Sequence, residues 1–176
     1  MTPFSAFVDA RRPANPLIGV EIGVRDGVNA IELLGSLPIQ KLYLVDSFKP
    51  YDDYGAKYFT AKEQRGEYAK LIKNVNDYSH KTIIIKETSV WARQLFTEPF
   101  LHFVYIDGNH DYKNVKRDLK WWDLLVPDGI IGGHDYGGCW GNSVERAVNE
   151  FVAKKGVELN VLNSSRGGIE WAIIKK

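Results

Sequence analysis

The 176-residue chain contains a single cysteine, Cys139, so no disulfide can form within it and a reducing compartment suits it. It has no apolar run near the roughly 20 residues of a membrane span. Residues 1–15 lack the apolar middle of a secretory signal. Net charge is nearly absent too: 23 Lys and Arg against 22 Asp and Glu leave +1. That balance excludes the basic footprint expected of a nucleic-acid or anionic-membrane binder. No repeat, low-complexity tract or linker divides residues 1–176. The expectation is one soluble, cytoplasmic domain without membrane or nucleic-acid partners.

Two phosphate-binding signatures are missing as well. Val20-Glu21-Ile22-Gly23-Val24-Arg25-Asp26-Gly27 follows an apolar run and precedes a helix-like segment, and so reads as strand, tight turn and helix start. Its glycines are spaced G-x-x-x-G, not the G-x-G-x-x-G of dinucleotide folds, and no G-K-S/T follows. The acid in front, Glu21, would repel a phosphate and attract a cation. A ligand with an ammonium, a sulfonium and no phosphate, such as S-adenosylmethionine, matches that chemistry.

With 44% hydrophobic and 26% charged residues, the chain can build an ordinary core. Short apolar segments at 17–22, 41–46, 82–86, 101–106 and 129–133 alternate with helix-length stretches. Near-continuous apolar runs of this length suit parallel strands covered on both faces. Val115, Leu119, Trp122 and Leu125 share one helical face, and Pro127-Asp128-Gly129 reads as that helix's stop. Val144, Ala147, Val148, Phe151 and Val152 form a second stripe, with Asn142-x-x-Glu145 as a capping box and Gly156 as C-terminal stop. Segments 157–162 and 169–175 flank a turn-rich stretch and read as an antiparallel hairpin. The pattern predicts a doubly wound, Rossmann-like α/β sheet of seven strands, mostly parallel, closed by an antiparallel C-terminal hairpin. A helix is expected at 60–74. Segment 48–80 reads as a lid over the site or as a decorated surface loop.

Ligands of such sheets sit beyond the carboxyl ends of the strands, so the residues there are the site candidates. Glu21, Gly23 and Gly27 follow the first strand. Asp46, placed to accept ribose hydroxyls, and Ser47 follow the second. Glu87 and Ser89 follow the third, Ser89 as an adenine contact or a helix N-cap. Asp107 and His110 follow the fourth, in Ile106-Asp107-Gly108-Asn109-His110-Asp111-Tyr112. His134 and Asp135 follow the fifth, in Gly132-Gly133-His134-Asp135-Tyr136. Asp107, His134 and Asp135 are suitable ligands for Mg or another divalent metal, with His110 as an alternative general base. Tyr112, Tyr136 and Trp140 are candidates to frame an acceptor pocket.

These motifs resemble those of class I S-adenosylmethionine-dependent methyltransferases, over about the whole chain in order of elements. Within that class the runs at 106–112 and 132–136 resemble a subgroup of small bacterial enzymes that includes macrocin-type sugar O-methyltransferases and cephalosporin hydroxylase-like sequences. The resemblance implies that Glu21, Gly23 and Gly27 hold the methionine end of the cofactor and that Asp46 holds the ribose. It implies a divalent metal on Asp107, His134 and Asp135, although His134 stands where the metal-dependent pattern usually has an acid or amide. The expected activity is O-methylation of a small hydroxylated acceptor, a sugar, phenol or natural product. The short stretch before the first strand leaves the acceptor side open or completed by a second copy in a homodimer. Two other readings stand beside it. Gly108-Asn109-His110-Asp111 matches a signature of binuclear metallophosphoesterases, but the D-x-H and G-D-x-x-D motifs of that class are missing. A non-catalytic cofactor binder or scaffold would keep Glu21 and Asp46 but leave Asp107 and Asp135 without purpose.

Overall fold

Apolar segments become the middle of one sheet in the computed structural model, which describes residues 1–11, 13–53, 57–137, 142–163 and 168–176, with backbone alone at 51–53 and 57–59. In chain order its elements are α1 (Pro3–Arg11), β1 (Leu17–Ile22), α2 (Val28–Ser36), β2 (Ile39–Val45), β3 (Tyr51–Asp53), β4 (Lys57–Phe59), α3 (Ala61–Asn74) and β5 (Thr82–Ile85). Then come α4 (Ser89–Ala92), β6 (Leu101–Ile106), α5 (Tyr112–Asp118), β7 (Leu125–Gly133), α6 (Ser143–Lys155), β8 (Leu159–Asn163) and β9 (Ile169–Ile174). The sheet order is β5-β2-β1-β6-β7-β9-β8. The first five strands are parallel, and β9 runs antiparallel to both β7 and β8. This is the doubly wound, seven-stranded α/β arrangement with its C-terminal hairpin that the sequence pattern predicts.

Side chains alternate across a strand, so each strand feeds two cores. On one face Leu17, Leu44, Phe103 and Tyr105 pack with Phe4 and Val8 of α1, Leu33 and Leu34 of α2 and Leu71 of α3. On the other, Val20, Ile22, Val104 and Ile131 pack with Ala92 of α4, Val115 of α5 and Val144 and Val148 of α6. Each buried Val, Leu, Ile or Phe among them contributes about 1.5–3 kcal/mol. At the amino end of the sheet the ladder is irregular beside Leu17 and Leu101. There His102 Nδ1 accepts the Ile18 N–H at 2.8 Å. Burial lowers the His102 pKa and so preserves the neutral ring that this acceptor role needs.

Several local expectations change. The stop expected at Pro127-Asp128-Gly129 lies inside β7. The helix ends earlier, at Asp118, and a 3-10 stretch (Leu119–Leu124) follows. Leu119, Trp121, Trp122 and Leu124 are all buried. A 3-10 turn stacks residues three apart, which suits Leu119 with Trp122 and Trp121 with Leu124. Asp128 takes φ 63° and its N–H bonds the Lys175 carbonyl. The capping box at Asn142 does not form, because Asn142 is left-handed (φ 58°) and its side chain caps nothing. Gly156 does end α6 in the left-handed conformation. Thr60 and Glu63 form a reciprocal capping box on α3. Within 48–80, β3 and β4 pair as an antiparallel ribbon outside the main sheet. No helix among the described residues is long and apolar enough to cross a membrane.

The sequence gives no sign of α1. Its first turn is held by Glu170 of β9, whose Oε2 accepts the Phe4 N–H at 2.6 Å while its Oε1 accepts the Tyr105 hydroxyl at 2.9 Å. Phe4 fills the space left by Gly132. A Cβ there would lie 2.3 Å from the Trp171 carbonyl oxygen and 2.4 Å from the Phe4 ring. Backbone cannot yield cheaply to such an overlap. Gly132→Ala should therefore destabilise the protein by about 1–3 kcal/mol in urea unfolding; an unchanged midpoint would show that α1 is not packed into this notch.

Candidate active site

A cleft of about 1200 Å³ opens beyond the carboxyl ends of β5, β2, β1, β6 and β7. Strand order reverses there: β2 lies on one side of β1 and β6 on the other. Such a switch point parts the flanking loops and makes a crevice.

The glycine turn after β1 is fixed by protein contacts. Gly23 has φ 84°, and a Cβ there would lie 2.2 Å from the Asp107 carbonyl oxygen. Gly27, φ 82°, caps α2 and leaves room for Leu71, whose Cδ1 a Cβ would approach to 2.6 Å. Gly23 lines the cleft and Gly27 does not. Asp46 ties this turn to the end of β2. Its Oδ2 accepts the N–H groups of Val24 and Arg25, both at 3.0 Å, and its Oδ1 accepts that of Phe48 at 3.0 Å. Arg25 and Phe48 are themselves left-handed, so the carboxylate stabilises backbone that would otherwise be strained. A carboxylate has about four lone-pair sites, and three are used.

Glu21, the next-to-last residue of β1, is almost wholly buried, at 1% exposure. Asn29 of α2 donates to its Oε1 at 3.0 Å. Its Oε2 is buried and has no hydrogen-bond partner among the described residues, and the residue lines the cleft. Burial is the main force on this carboxyl, and Asp107, Asp46 and Asp26 add like charge. Together they push it up to about 8. At neutral pH the buried carboxyl therefore keeps its proton.

Across the cleft stand two carboxylates and two imidazoles. His110 Nε2 lies 2.9 Å from Asp135 Oδ2 and 3.4 Å from Asp107 Oδ1. His134 Nδ1 lies 3.1 Å from Asp135 Oδ1. Burial opposes charge on His110, but hydrogen bonds to Asp107 and Asp135 outweigh it and push its pKa up to about 9. Asp135 holds His134 above the usual histidine range in the same way, and the two rings hold Asp135 well below the carboxylate range against its burial. Asp135 reaches both rings because it is left-handed, φ 60°, a conformation aspartate tolerates. One ligand atom from each of Asp107, His134 and Asp135 lies within 4.8 Å of the others.

The structure thus gathers Glu21, Gly23, Asp46, Ser47, Glu87, Ser89, Asp107, His110, His134 and Asp135 around one cleft. Ser47 and Glu87 line it beside Lys49, whose N–H Ser47 Oγ accepts at 3.4 Å and whose Nζ lies 4.0 Å from Glu87 Oε2. Thr88, not Ser89, caps α4. Tyr112 bonds Glu150 and Tyr136 bonds Asn149, both on α6, and neither lines the cleft. Trp140 and Cys139 lie outside the described residues. Sequence reasoning missed Asn29, Asp118 and Gly168. A Cβ on Gly168 would lie 2.4 Å from the His134 ring, so the end of the β8–β9 hairpin sets that imidazole. Asp118 carried a readable signal, a carboxylate three residues from Val115 on the apolar face of its helix.

Residues 20–136 match a family model described as a methyltransferase domain. No curated protein matches the chain in sequence. Among solved structures, it is similar to an O-methyltransferase from Bacillus cereus in complex with SAH, at 18% identity and TM-score 0.69, with 98% of this chain and 80% of that one covered. It is also similar to an rRNA methylase from Streptococcus thermophilus, at 16% identity and TM-score 0.66, with 98% and 93% covered. A spermidine synthase from Thermotoga maritima aligns over 98% of this chain but 60% of its own, at 13% identity and TM-score 0.64. Such low identities establish the fold; the family model covers most of the chain. The chain belongs to this methyltransferase-domain family and has the fold of the class I, S-adenosylmethionine-dependent enzymes.

Proposed function

We propose that the cleft binds S-adenosylmethionine and that the chain methylates an oxygen of a small hydroxylated acceptor, a sugar, phenol or natural product, held at Asp107, His134 and Asp135. The observation that carries the donor assignment is Glu21: a buried carboxyl that lines the cleft and has one oxygen without a partner among the described residues. A buried acid in that state is costly unless a cation or donor reaches it. The ammonium of the donor's methionine end supplies both. Asp46 keeps the turn beneath that group in shape and has one lone-pair site left for a ribose hydroxyl. When bound, the donor supplies an electrophilic methyl carbon; its S–C bond breaks as the O–C bond forms, and the acceptor's proton must leave.

The residues that manage that proton are the ones across the cleft. His110, held as an imidazolium at neutral pH, is a poor base in this state and acts instead to balance Asp107 and Asp135. Asp107 is the carboxylate left to receive the acceptor hydroxyl. The carboxylate and imidazole donors of Asp107, His134 and Asp135 also fit a divalent ion such as Mg. Such an ion would hold the acceptor oxygen and lower its pKa. The near-neutral charge of the chain favours a small acceptor over a nucleic acid.

Titration calorimetry with S-adenosylhomocysteine should show binding, with about one proton released per ligand near pH 7, because the ammonium ionises Glu21. Glu21→Gln should bind at least about tenfold more weakly and release none. No binding by the wild type would sink the donor assignment. The empty protein carries the same signature. Its native state keeps a proton on Glu21 that the unfolded chain has lost, so stability should fall as pH rises from 4.5 to about 8. Glu21→Gln should flatten that part of the profile in thermal melts; an identical slope would contradict the burial argument. With a panel of sugars and phenols, Asp107→Asn should lose roughly 10²–10³ in turnover while keeping its affinity for S-adenosylhomocysteine. Equal loss of affinity would move Asp107 from the acceptor to the donor. Full turnover after chelation with EDTA would rule out the metal.

A further inference from the structure

Exposed apolar side chains gather at one edge of the sheet. Among the described residues, Ile72, Ile83, Val90, Trp91 and Leu95 are most of the large hydrophobic side chains that stand exposed, and all lie in or beside β5 between α3 and β6. The strand β5 is the outermost of the sheet on that side. Its ladder to β2 uses alternate residues: the Leu42 N–H bonds the Lys81 carbonyl and the Asp46 N–H bonds the Ile85 carbonyl. By that alternation Thr82, Ile84 and Lys86 turn their N–H and C=O groups outward, away from β2. Side chains alternate too. Ile84 packs against the core under α3 and Ile85 against the core under α4. Ile83 therefore shares the α4 face, where it is 40% exposed beside a helix that exposes Trp91 at 48% and Leu95 at 51%. An apolar edge with free backbone groups is a template for another strand.

We propose that β5 pairs antiparallel with β5 of a second copy of this chain, about a twofold axis at Ile84, so that two sheets become one. The occupant and the register follow from charge complementarity. A twofold antiparallel pairing must match outward residues with outward residues, so its axis falls on Ile83, Ile84 or Ile85. On Ile83, Lys81 would face the partner's Ile85 and Glu87 would face Ser79. On Ile85, Glu87 would face the partner's Ile83. On Ile84, Lys81 faces Glu87 at both ends, Ile83 faces Ile85, and Thr82 and Lys86 exchange both backbone bonds. The chain is thus complementary to itself in one register. Within one copy Glu87 has Lys49 at 4.0 Å, a loose surface pair that leaves it available. The charges select the register, and Ile83, Trp91 and Leu95 supply the apolar contact. The opposite edge, β8, lacks these devices: Leu159–Asn163 carries no charge, and Val161 is its one strongly exposed hydrophobic residue. This inference is independent of the donor assignment. It places the second copy at β5, four strands from β7, so the dimer leaves the proposed acceptor end of the cleft open.

Sedimentation equilibrium of the full chain tests it. At about 50 µM the wild type should have a mass of about 40 kDa, twice the 20.0 kDa of one copy. Ile83→Lys should sediment as a monomer. Lys81→Glu and Glu87→Lys should each raise the dissociation constant at least about fivefold, and the two changes together should return it to within about twofold of the wild type. A wild type that stays at the mass of one copy would overturn the proposal. So would a dimer whose dissociation constant none of these variants moves, because its interface would lie elsewhere. Hydrogen exchange reads the same edge without any variant. The outward amides of Ile84 and Lys86 should exchange faster on dilution to monomer; rates independent of concentration would count against the pairing.

Discussion

The buried carboxyl of Glu21 is the constraint around which the site is organised. It sits at the end of the central strand, paired with β2 on one side and β6 on the other. Each neighbouring strand delivers another acid, Asp46 and Asp107, to the same edge. Folding thus concentrates negative charge where water is scarce, and Asn29 satisfies only one oxygen of Glu21. A proton on the carboxyl meets this cost. A cationic ligand would meet it by releasing one. The proposed affinity for a positive group rests on this arrangement of three acids at adjacent strand ends.

Two other features keep that constraint in place. Asp46 spends three lone pairs on backbone N–H groups of the glycine turn and of the segment after β2. Gly23 lets the same turn rest on the Asp107 backbone. The carboxyl ends of β1, β2 and β6 are therefore tied at one joint. On the far side the charges are balanced inside the protein. His110 and His134 grip Asp135 from both sides, and Gly168 leaves the space that His134 occupies. The cleft is asymmetric as a result, with an acid seeking a cation near β1 and a self-compensated cluster near β7.

Much of this was legible in the sequence, because short apolar runs ending in ionisable residues are a strong signal for parallel strands whose carboxyl ends face a ligand. The five parallel strands, the closing hairpin and the acids at the strand ends come from that pattern. Other parts depend on contacts between distant segments. The turn glycines look like room for a ligand, but what they admit is Asp107 backbone and Leu71. Gly168 carries no local sign of its role, since His134 lies more than thirty residues away in sequence. The helix α1 was missed because its capping partner, Glu170, comes from the last strand. The place of Asp118 on the buried face of α5 is visible in the sequence, three residues from Val115. Tyr112 and Tyr136 looked like pocket walls, but their hydroxyls turn to α6.

The central claim is that the unpartnered oxygen of Glu21 receives the amino group of the methyl donor. A crystal structure of the wild-type protein with S-adenosylhomocysteine tests it directly. The ligand's amino nitrogen should lie about 2.7–3.0 Å from Glu21 Oε2, with Asn29 still on Oε1. A ligand bound in the cleft with its amino group elsewhere, and Oε2 still without a partner, would contradict it.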